Sequence, residues 1–280
     1  MRVITSPQQM QKTALGLKRL GKKIGIVPTM GFLHEGHVTL LRRARARCDV
    51  LVLTIFVNPT QFGPKEDFKR YPRDEKGDLK KARQTKTDIV FMPKMAEMYP
   101  EGFNTTVEVT EASRELCGKS RPGHFRGVAT IVAKLLNLIQ PDIAFFGLKD
   151  FQQFAVLKKM VSDLNFPIRM VGIPTVREKD GLAMSSRNVY LTVDERVASL
   201  CIPRGLKKVK RAVQEGEKNI SSLLKILKTK IGGEPRARID YIQAVDADTI
   251  LPIKKYQKEK TLFAIAVFIG RTRLIDNIVV

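Results

Sequence analysis

Two of the three histidines lie close together in a stretch whose residue types could bind phosphate. His34 and His37 follow a short apolar run that ends at Pro28, and Gly31 and Gly36 lie in the loop before a predicted helix. The N–H groups at a helix start, together with the helix dipole, attract anions. Two imidazoles beside such a site suit the phosphates of a nucleotide. A turn with incidental histidines explains the same residues, and this stretch alone does not decide between the two interpretations.

Four other polar stretches could carry chemistry. They are residues 56–62 with Asn58 and Gln61, residues 121–127 with the third histidine, residues 146–153 with Lys149, and residues 184–188 with two serines and an arginine. Taken alone, each is explained by a loop, a solvated helix start or a helix cap. Because the carboxyl ends of parallel strands meet at one edge of a sheet, several such loops together favour a shared ligand site. A zinc site is disfavoured, since the histidine stretch spans a glycine-containing loop rather than a helix interior.

The elements that must position these stretches alternate between strand and helix over roughly the first 175 residues. Strands are predicted at residues 24–27, 50–57, 89–92, 143–146 and 168–173, and helices at 37–48, 74–84, 128–139 and 152–164. This alternation predicts an α/β fold with a doubly wound, Rossmann-like parallel sheet.

The pattern changes after about residue 176. Helices are predicted at residues 194–214 and 221–231, followed by strands at 239–245, 262–269 and 274–275 with no long helix between them. We therefore predict a nucleotide-binding domain over residues 1–176 and a smaller α+β domain with an antiparallel sheet over residues 177–280.

Composition limits the class of protein. No apolar run approaches the roughly 18–20 residues that span a bilayer, and the N-terminus lacks the apolar core of a signal peptide. Three cysteines, odd in number and far apart, argue against a disulfide framework. We expect a cytoplasmic protein without a membrane segment. The net charge of +22 raises nucleic acid as a partner, but the basic residues are diffuse and lack interleaved aromatics, so we expect a solvated basic surface instead.

Several motifs closely resemble those of the pantoate–β-alanine ligase family. They occupy residues 28–37, 56–62, 121–128, 147–153 and 185–188, and the likeness continues through residues 71–73 and ends at residues 273–277. It therefore covers nearly the whole chain in order. The histidine motif is shared with many nucleotidyltransferases, whereas the stretches 58–62 and 149–153 are much more specific.

The resemblance implies an ATP-dependent ligase that condenses D-pantoate with β-alanine through a pantoyl adenylate and releases pyrophosphate and AMP. A carboxylate that is already ionised at neutral pH can attack the α-phosphate, so the protein has to position substrates and stabilise charge. The resemblance also implies that residues 177–280 form a lid over ATP and that the enzyme is a homodimer. Magnesium is expected with ATP, held mainly by phosphate oxygens and water, with Asp78 as a weak protein candidate.

By the same resemblance, His34, His37 and Lys149 are the catalytic residues, with His37 as a proton donor toward the leaving group. Gln61 and Gln153 bind pantoate, Gln61 also faces β-alanine, and Asn58 is a further substrate-binding residue. The implied ATP-binding residues are Met30, Gly31, Phe32, Leu33, His34, Glu35, Gly36, His37, Gly147, Leu148, Lys149, Asp150, Val176, Met184, Ser185, Ser186 and Arg187.

Leu148 departs from the family, because an acidic or amide residue is common at that position. Two other functions stay open. A different nucleotidyltransferase of the same superfamily would explain His34, His37 and Ser185–Arg187. It would leave Gln61 and Gln153 without a purpose. A nucleic-acid-binding protein on this fold is the second alternative, motivated by the net charge of +22.

Overall fold

The computed structural model describes residues 1–64 and 66–280. The chain divides into two compact units. The first comprises Met1–Val109, Arg121–Leu148 and Val156–Pro174, and the second comprises Thr110–Ser120, Lys149–Ala155 and Thr175–Val280. Thr110–Ser120 and Lys149–Ala155 therefore belong to the second unit, although they precede residue 176. The sequence pattern predicted a single domain boundary at residue 176. None of the described helices is long and apolar enough to cross a membrane.

The first unit is built on a six-stranded parallel sheet with the strand order β1-β4-β3-β2-β5-β6. Strands β3 and β4 lie on one side of β2, whereas β5 and β6 lie on its other side. The direction of winding therefore reverses between β2 and β5. The predicted doubly wound sheet is confirmed. Its strands are β1 (Arg2–Ile4), β2 (Ile24–Thr29), β3 (Val50–Ile55), β4 (Ile89–Phe91), β5 (Ile143–Gly147) and β6 (Arg169–Ile173).

The described residues of this part of the chain form seven α-helices, two of which lie partly or wholly in the second unit. Apolar residues from the sheet and from the helix that follows β2 form one buried cluster, which includes Leu33, Leu41 and Leu53. The helices are α1 (Pro7–Arg19), α2 (Glu35–Arg45), α3 (Glu75–Gln84), α4 (Met95–Met98), α5 (Cys117–Ser120), α6 (His124–Ile139) and α7 (Phe151–Asp163).

The second unit contains a three-stranded antiparallel sheet with the order β7-β8-β9. Leu206, Leu227, Phe263 and Ile265 are among the buried residues that join two of its helices to one face of this sheet. Its further elements are α8 (Val193–Ala198), α9 (Cys201–Gln214), α10 (Ile220–Gly232), β7 (Ala237–Asp246), β8 (Thr261–Ile269) and β9 (Thr272–Val279).

The prediction of one helix over residues 194–214 is wrong, because α8 and α9 are separate. Pro203 explains the break. Proline has no N–H to donate to the carbonyl four residues earlier and its ring clashes there, but it is tolerated in the first turn of a helix, where α9 places it. The predicted strand at residues 274–275 is also too short, since β9 spans Thr272–Val279. The sequence pattern did not predict β1 or α1.

Candidate active site

The loop after β2 is shaped by close contacts of Gly31. The residue has φ +80°, and a Cβ there would lie 2.9 Å from both Asp78 Oδ2 and Ile55 Cγ2. Its N–H donates to Thr29 Oγ1 at 3.2 Å, and that hydroxyl donates to the Thr54 carbonyl at 2.7 Å. A side chain at position 31 would therefore displace the loop at the end of β2.

Asp78 holds the next two residues of this loop. Its carboxylate accepts the N–H of Phe32 at 2.8 Å and that of Leu33 at 2.6 Å. Asp78 is only 1% exposed, and burial raises the pKa of its carboxyl while the two backbone hydrogen bonds oppose that rise. These contacts account for the burial of Asp78 without a metal ion, and its role as a magnesium ligand stays a prediction.

The two histidines form the cap of α2. His34 Nδ1 accepts the N–H of Gly36 at 3.1 Å, and His37 Nδ1 accepts the N–H of His34 at 3.2 Å. The ring centroids lie 4.1 Å apart. Because Nδ1 is the acceptor in both rings, each neutral imidazole carries its proton on Nε2. The backbone thus selects one tautomer for both histidines, at the positive end of the helix dipole.

Gln61 lies in the 3-10 turn Pro59–Gln61 that follows β3, and it is only 8% exposed. Its Nε2 donates to Met30 Sδ at 3.1 Å, and its Oε1 accepts from Asn58 Nδ2 at 3.2 Å. The structure therefore joins three predicted site residues from two different strand ends. The carboxamide of Gln61 keeps one further N–H and one further lone pair, which suits a substrate that both donates and accepts.

Asn58 supports Gln61 and is itself almost fully buried. Its Nδ2 also donates to the Gly127 carbonyl at 3.1 Å, and its Oδ1 accepts from Thr60 Oγ1 at 2.9 Å and from Tyr99 at 2.8 Å. These bonds occupy both ends of the Asn58 amide. We infer that Asn58 positions Gln61, whereas the family resemblance implies a substrate-binding role for Asn58.

A second network holds the main chain of Gln61. His124 Nδ1 donates to the Gln61 carbonyl at 2.8 Å, and its Nε2 accepts from Arg121 Nη1 at 3.0 Å. Arg121 binds both oxygens of Glu66, at 2.6 and 2.7 Å. Burial opposes ionisation of Glu66, but the hydrogen bond and charge of Arg121 outweigh it and lower the pKa of Glu66 to about 2. The sequence motif at residues 121–127 contains Arg121 and His124, but the sequence alone does not indicate these contacts.

The residues after β5 include the position that departs from the family. Leu148 packs over Gly172 of β6, where an added Cβ would lie 2.6 Å from Leu148 Cδ2. Gly147 has more space, since its nearest contact to an added Cβ is Leu40 Cδ1 at 3.9 Å. The apolar side chain of Leu148 therefore has a packing partner in the first unit.

The second unit carries the remaining predicted residues. The side chain of Lys149 is 18% exposed, and its Nζ lies 3.8 Å from Asp150 Oδ2. Lys149 precedes α7, whose first turn includes the half-buried Gln153. The neighbouring Gln152 is buried and structural, since its amide accepts the N–H of Cys117 at 3.0 Å and donates to the Ala112 carbonyl at 2.9 Å.

Val176 and Met184 are joined across a short loop. The Met184 N–H donates to the Val176 carbonyl at 3.0 Å, and Arg177 and Ala183 form an antiparallel bridge. The Val176 carbonyl is therefore held by a hydrogen bond within this loop.

Ser185 then caps the 3-10 helix Ser186–Tyr190 by accepting the N–H of Arg187 at 3.2 Å. The cap interpretation of Ser185 and its predicted role in ATP binding are compatible, because the hydroxyl retains its own proton.

Among residues 1–64 and 66–280, no group of three or more His, Cys, Asp or Glu side chains could hold a metal ion. The described donors therefore do not form a protein cage for magnesium. A magnesium ion coordinated mainly by phosphate and water needs no such cage.

Comparison with known proteins agrees with these features. A family model described as pantoate–β-alanine ligase matches residues 2–279. The pantothenate synthetase of Trichlorobacter lovleyi is 52% identical over 279 residues, which are 100% of this chain and 98% of that protein. That of Heliobacterium modesticaldum is 51% identical over 280 residues, with 100% and 99% covered.

Solved structures agree as well. Pantothenate synthetase from Thermus thermophilus superposes with a TM-score of 0.94 at 40% identity, covering 99% of each chain. Pantoate–β-alanine ligase from Francisella tularensis, complexed with β,γ-ATP and β-alanine, has a TM-score of 0.81 at 32% identity, covering 100% of this chain and 97% of that one. The sequence, the fold and these relatives together show that the chain belongs to the pantoate–β-alanine ligase family.

Proposed function

We propose that this protein condenses D-pantoate with β-alanine at the expense of ATP, through a pantoyl adenylate. Family membership over residues 2–279 supports the overall reaction. The observation that carries the choice of an acid substrate is the buried amide of Gln61, held at 3.1 Å by Met30 and at 3.2 Å by Asn58. A carboxamide can donate to a carboxylate and accept from a hydroxyl, and pantoate carries both groups.

In the first half-reaction, a carboxylate oxygen of pantoate forms a bond to the α-phosphorus of ATP. The bond from that phosphorus to the bridging oxygen breaks, and pyrophosphate leaves. We assign His34 and His37 to the phosphates, because both rings carry a proton on Nε2 at the N-terminus of α2. Lys149 supplies positive charge to the phosphate oxygens as negative charge develops.

In the second half-reaction, the neutral amine of β-alanine bonds to the acyl carbon. The acyl–phosphate bond breaks, AMP leaves with the electron pair, and the proton of the new ammonium group is released. We assign Gln61 and Gln153 to pantoate and Gln61 also to β-alanine, since a carboxamide donates and accepts at once.

We assign Ser185, Ser186 and Arg187 to the triphosphate. Met30, the loop of residues 147–150 and the main chain at Val176 are assigned to the nucleoside.

Magnesium enters this proposal as the counter-ion that arrives with ATP, held by phosphate oxygens and water. No step above depends on a protein ligand for it. The three cysteines are few and far apart in the sequence, which suits a reducing compartment, and we place the reaction in the cytoplasm. A homodimer and a lid role for residues 177–280 complete the proposal. Light scattering measures the oligomer, and small-angle scattering with and without ATP and pantoate measures closure.

The test is AMP formation from ATP and D-pantoate with magnesium, with and without β-alanine, followed by chromatography. AMP and pantothenate should accumulate only when all three substrates are present, and release of pyrophosphate should require pantoate. Folded protein that releases pyrophosphate with another acceptor, and none with pantoate, would assign the chain to a different nucleotidyl transfer.

A further inference from the structure

Strand β9 alternates its side chains between two faces of the small sheet. Leu274 and Asp276 are buried and lie on one face, and Arg273 and Asn277 lie on the other. On that second face their partners across β8 are Phe268 and Ala264. The face therefore carries two polar side chains four residues apart, each with a distant partner.

Asn277 binds the main chain of a residue assigned to phosphate. Its Nδ2 donates to the Lys149 carbonyl at 2.8 Å, across 128 residues of sequence. Lys149 lies just before α7, in a 3-10 turn that the carbonyl contact ties to the sheet. The position of the Lys149 backbone sets the region that its ammonium group can reach.

Asp276 binds the segment that carries Val176. Its two carboxylate oxygens accept from Arg177 at 2.6 and 2.9 Å, and Asp276 is only 2% exposed. Arg177 follows Val176 directly and forms the bridge to Ala183 that closes the loop before Ser185. This two-point ion pair fixes the direction of the chain where the nucleoside is assigned.

Arg273 extends the same arrangement to a third segment. It binds Asp240 at 2.8 Å and Ser120 Oγ at 3.1 Å, and it lies 3.6 Å from Cys117 Sγ. The N–H of Cys117 in turn donates to Gln152, the neighbour of Gln153. Strand β9 thus contacts three separate segments of the second unit. Two of them carry Lys149 and Val176, and the third is hydrogen-bonded to the neighbour of Gln153.

We propose that Asp276 and Asn277 are positioning residues for the nucleotide, acting through Arg177 and through Lys149. The inference rests on the proposed function, since it uses the assignment of Lys149 to the phosphates. Neither residue needs to touch a substrate. A displacement of about 1 Å in a reacting geometry can lower a rate roughly 100-fold, so loss of either tether should reduce adenylate formation well beyond its effect on folding.

The first experiment compares Asn277→Asp and Asn277→Ala with Thr261→Val. Aspartate keeps the shape of asparagine but cannot donate to the Lys149 carbonyl, and alanine removes the group without adding charge. Thr261→Val is the matched control, because it removes a buried hydroxyl that bonds the main chain of Gln257 at 2.9 Å in the same unit. Pantoate-dependent exchange between pyrophosphate and ATP measures the first half-reaction, and thermal unfolding measures stability.

Both Asn277 variants should lower the exchange kcat about tenfold or more and leave the KM for pantoate within about twofold of the parent. Thr261→Val should lower the unfolding temperature without lowering kcat. Asn277→Gln retains an amide donor and is included in case the other two variants do not fold. Its kcat should lie between that of the parent and those of Asn277→Asp and Asn277→Ala. Equal loss of kcat in Thr261→Val, or parental kcat in folded Asn277 variants, would overturn the proposal.

The second experiment combines Asn277→Ala with Lys149→Ala. If Asn277 acts through Lys149, the double variant should be no slower than Lys149→Ala alone. Fully multiplied losses would show that Asn277 does not act through Lys149 and would reject that part of the inference.

Asp276→Asn tests the ion pair between Asp276 and Arg177. It should raise the KM for ATP more than the KM for pantoate, because Arg177 adjoins the segment assigned to the nucleoside. An equal rise in both constants would contradict the assignment. If the parent enzyme itself shows no pantoate-dependent exchange, the proposed function fails; a fully active parent with unaffected variants rejects only the role of β9.

Discussion

Gly127 of α6 lies directly against the carbonyl of Thr60. A Cβ at Gly127 would be 2.3 Å from that oxygen and 2.7 Å from the nitrogen of Gln61. The Gly127 carbonyl also accepts from Asn58 at 3.1 Å. The helix therefore supports the turn that carries Gln61, and only the absence of a side chain allows this approach.

Gly127→Ala should displace the turn and raise the KM for pantoate about tenfold or more, with a loss of about 1–3 kcal/mol in unfolding free energy from overpacking. Gly16→Ala is the matched control, because no atom lies within 4 Å of a Cβ at that helical position. The control should stabilise the protein by about 0.5–1 kcal/mol and leave the KM unchanged. An unchanged KM in Gly127→Ala would show that the turn tolerates displacement.

Asp78→Asn should loosen the loop after β2, which leads to His34 and His37. A carboxamide presents only one oxygen to the two N–H groups of Phe32 and Leu33, so one of them meets the NH2 group instead. We expect adenylate formation to fall about tenfold or more, measured by pyrophosphate exchange. Asp74→Asn changes the exposed N-cap of the same helix and should leave exchange near the parent rate. Parental exchange in both variants would contradict the role given to Asp78.

Lys149→Ala should lower adenylate formation by about two orders of magnitude or more. The substitution removes the positive charge that stabilises the negative charge developing on the phosphate oxygens. The fold should remain intact, as judged by circular dichroism. Lys207→Ala, an exposed lysine of α9, is the control for loss of one positive charge. Near-normal turnover in Lys149→Ala would remove Lys149 from the mechanism.

Gln153→Ala should mainly raise the KM for pantoate and change the KM for ATP little. A lost hydrogen bond to a charged substrate is worth about 1.5–3 kcal/mol, which corresponds to roughly 10- to 150-fold. Steady-state kinetics with each substrate varied in turn will measure this, with Gln214→Ala as an exposed control. If only the KM for ATP changed, the assignment of Gln153 to pantoate would be wrong.

Glu66 should make stability depend on pH. Its pKa in the folded protein is about 2, below the ordinary value of 4.5, so the ionised form is favoured by folding. The stability it contributes is fully present above pH 4.5 and is lost as the pH falls through about 2. Glu66→Gln lacks this contribution.

Urea unfolding from pH 7 down to about pH 2.5 will measure the difference in unfolding free energy between the parent and Glu66→Gln. The difference should be largest at neutral pH and should shrink below about pH 4.5. A difference that is constant with pH would show that the Arg121 pair does not favour the ionised form.

Much of the architecture was predictable from the sequence. The predicted sheet strands at residues 50–57 and 143–146 overlap β3 and β5, since buried parallel strands are continuous apolar runs. The missed strand β1 and the strand predicted only at residues 274–275 show the limit of that signal. β1 has one buried residue, Ile4, and β9 alternates polar with apolar side chains, so neither forms an apolar run.

The sequence by itself determined the family, the parallel sheet and the residue types at the strand ends, because those signals are local in the chain and their motifs are specific. Only the tertiary structure decided how the residues are held. The bond from Asn277 to Lys149 and the bonds from Asp78 to Phe32 and Leu33 join residues that are far apart in sequence. Such contacts depend on strand order and on the direction of each side chain, which periodicity and motif spacing do not specify.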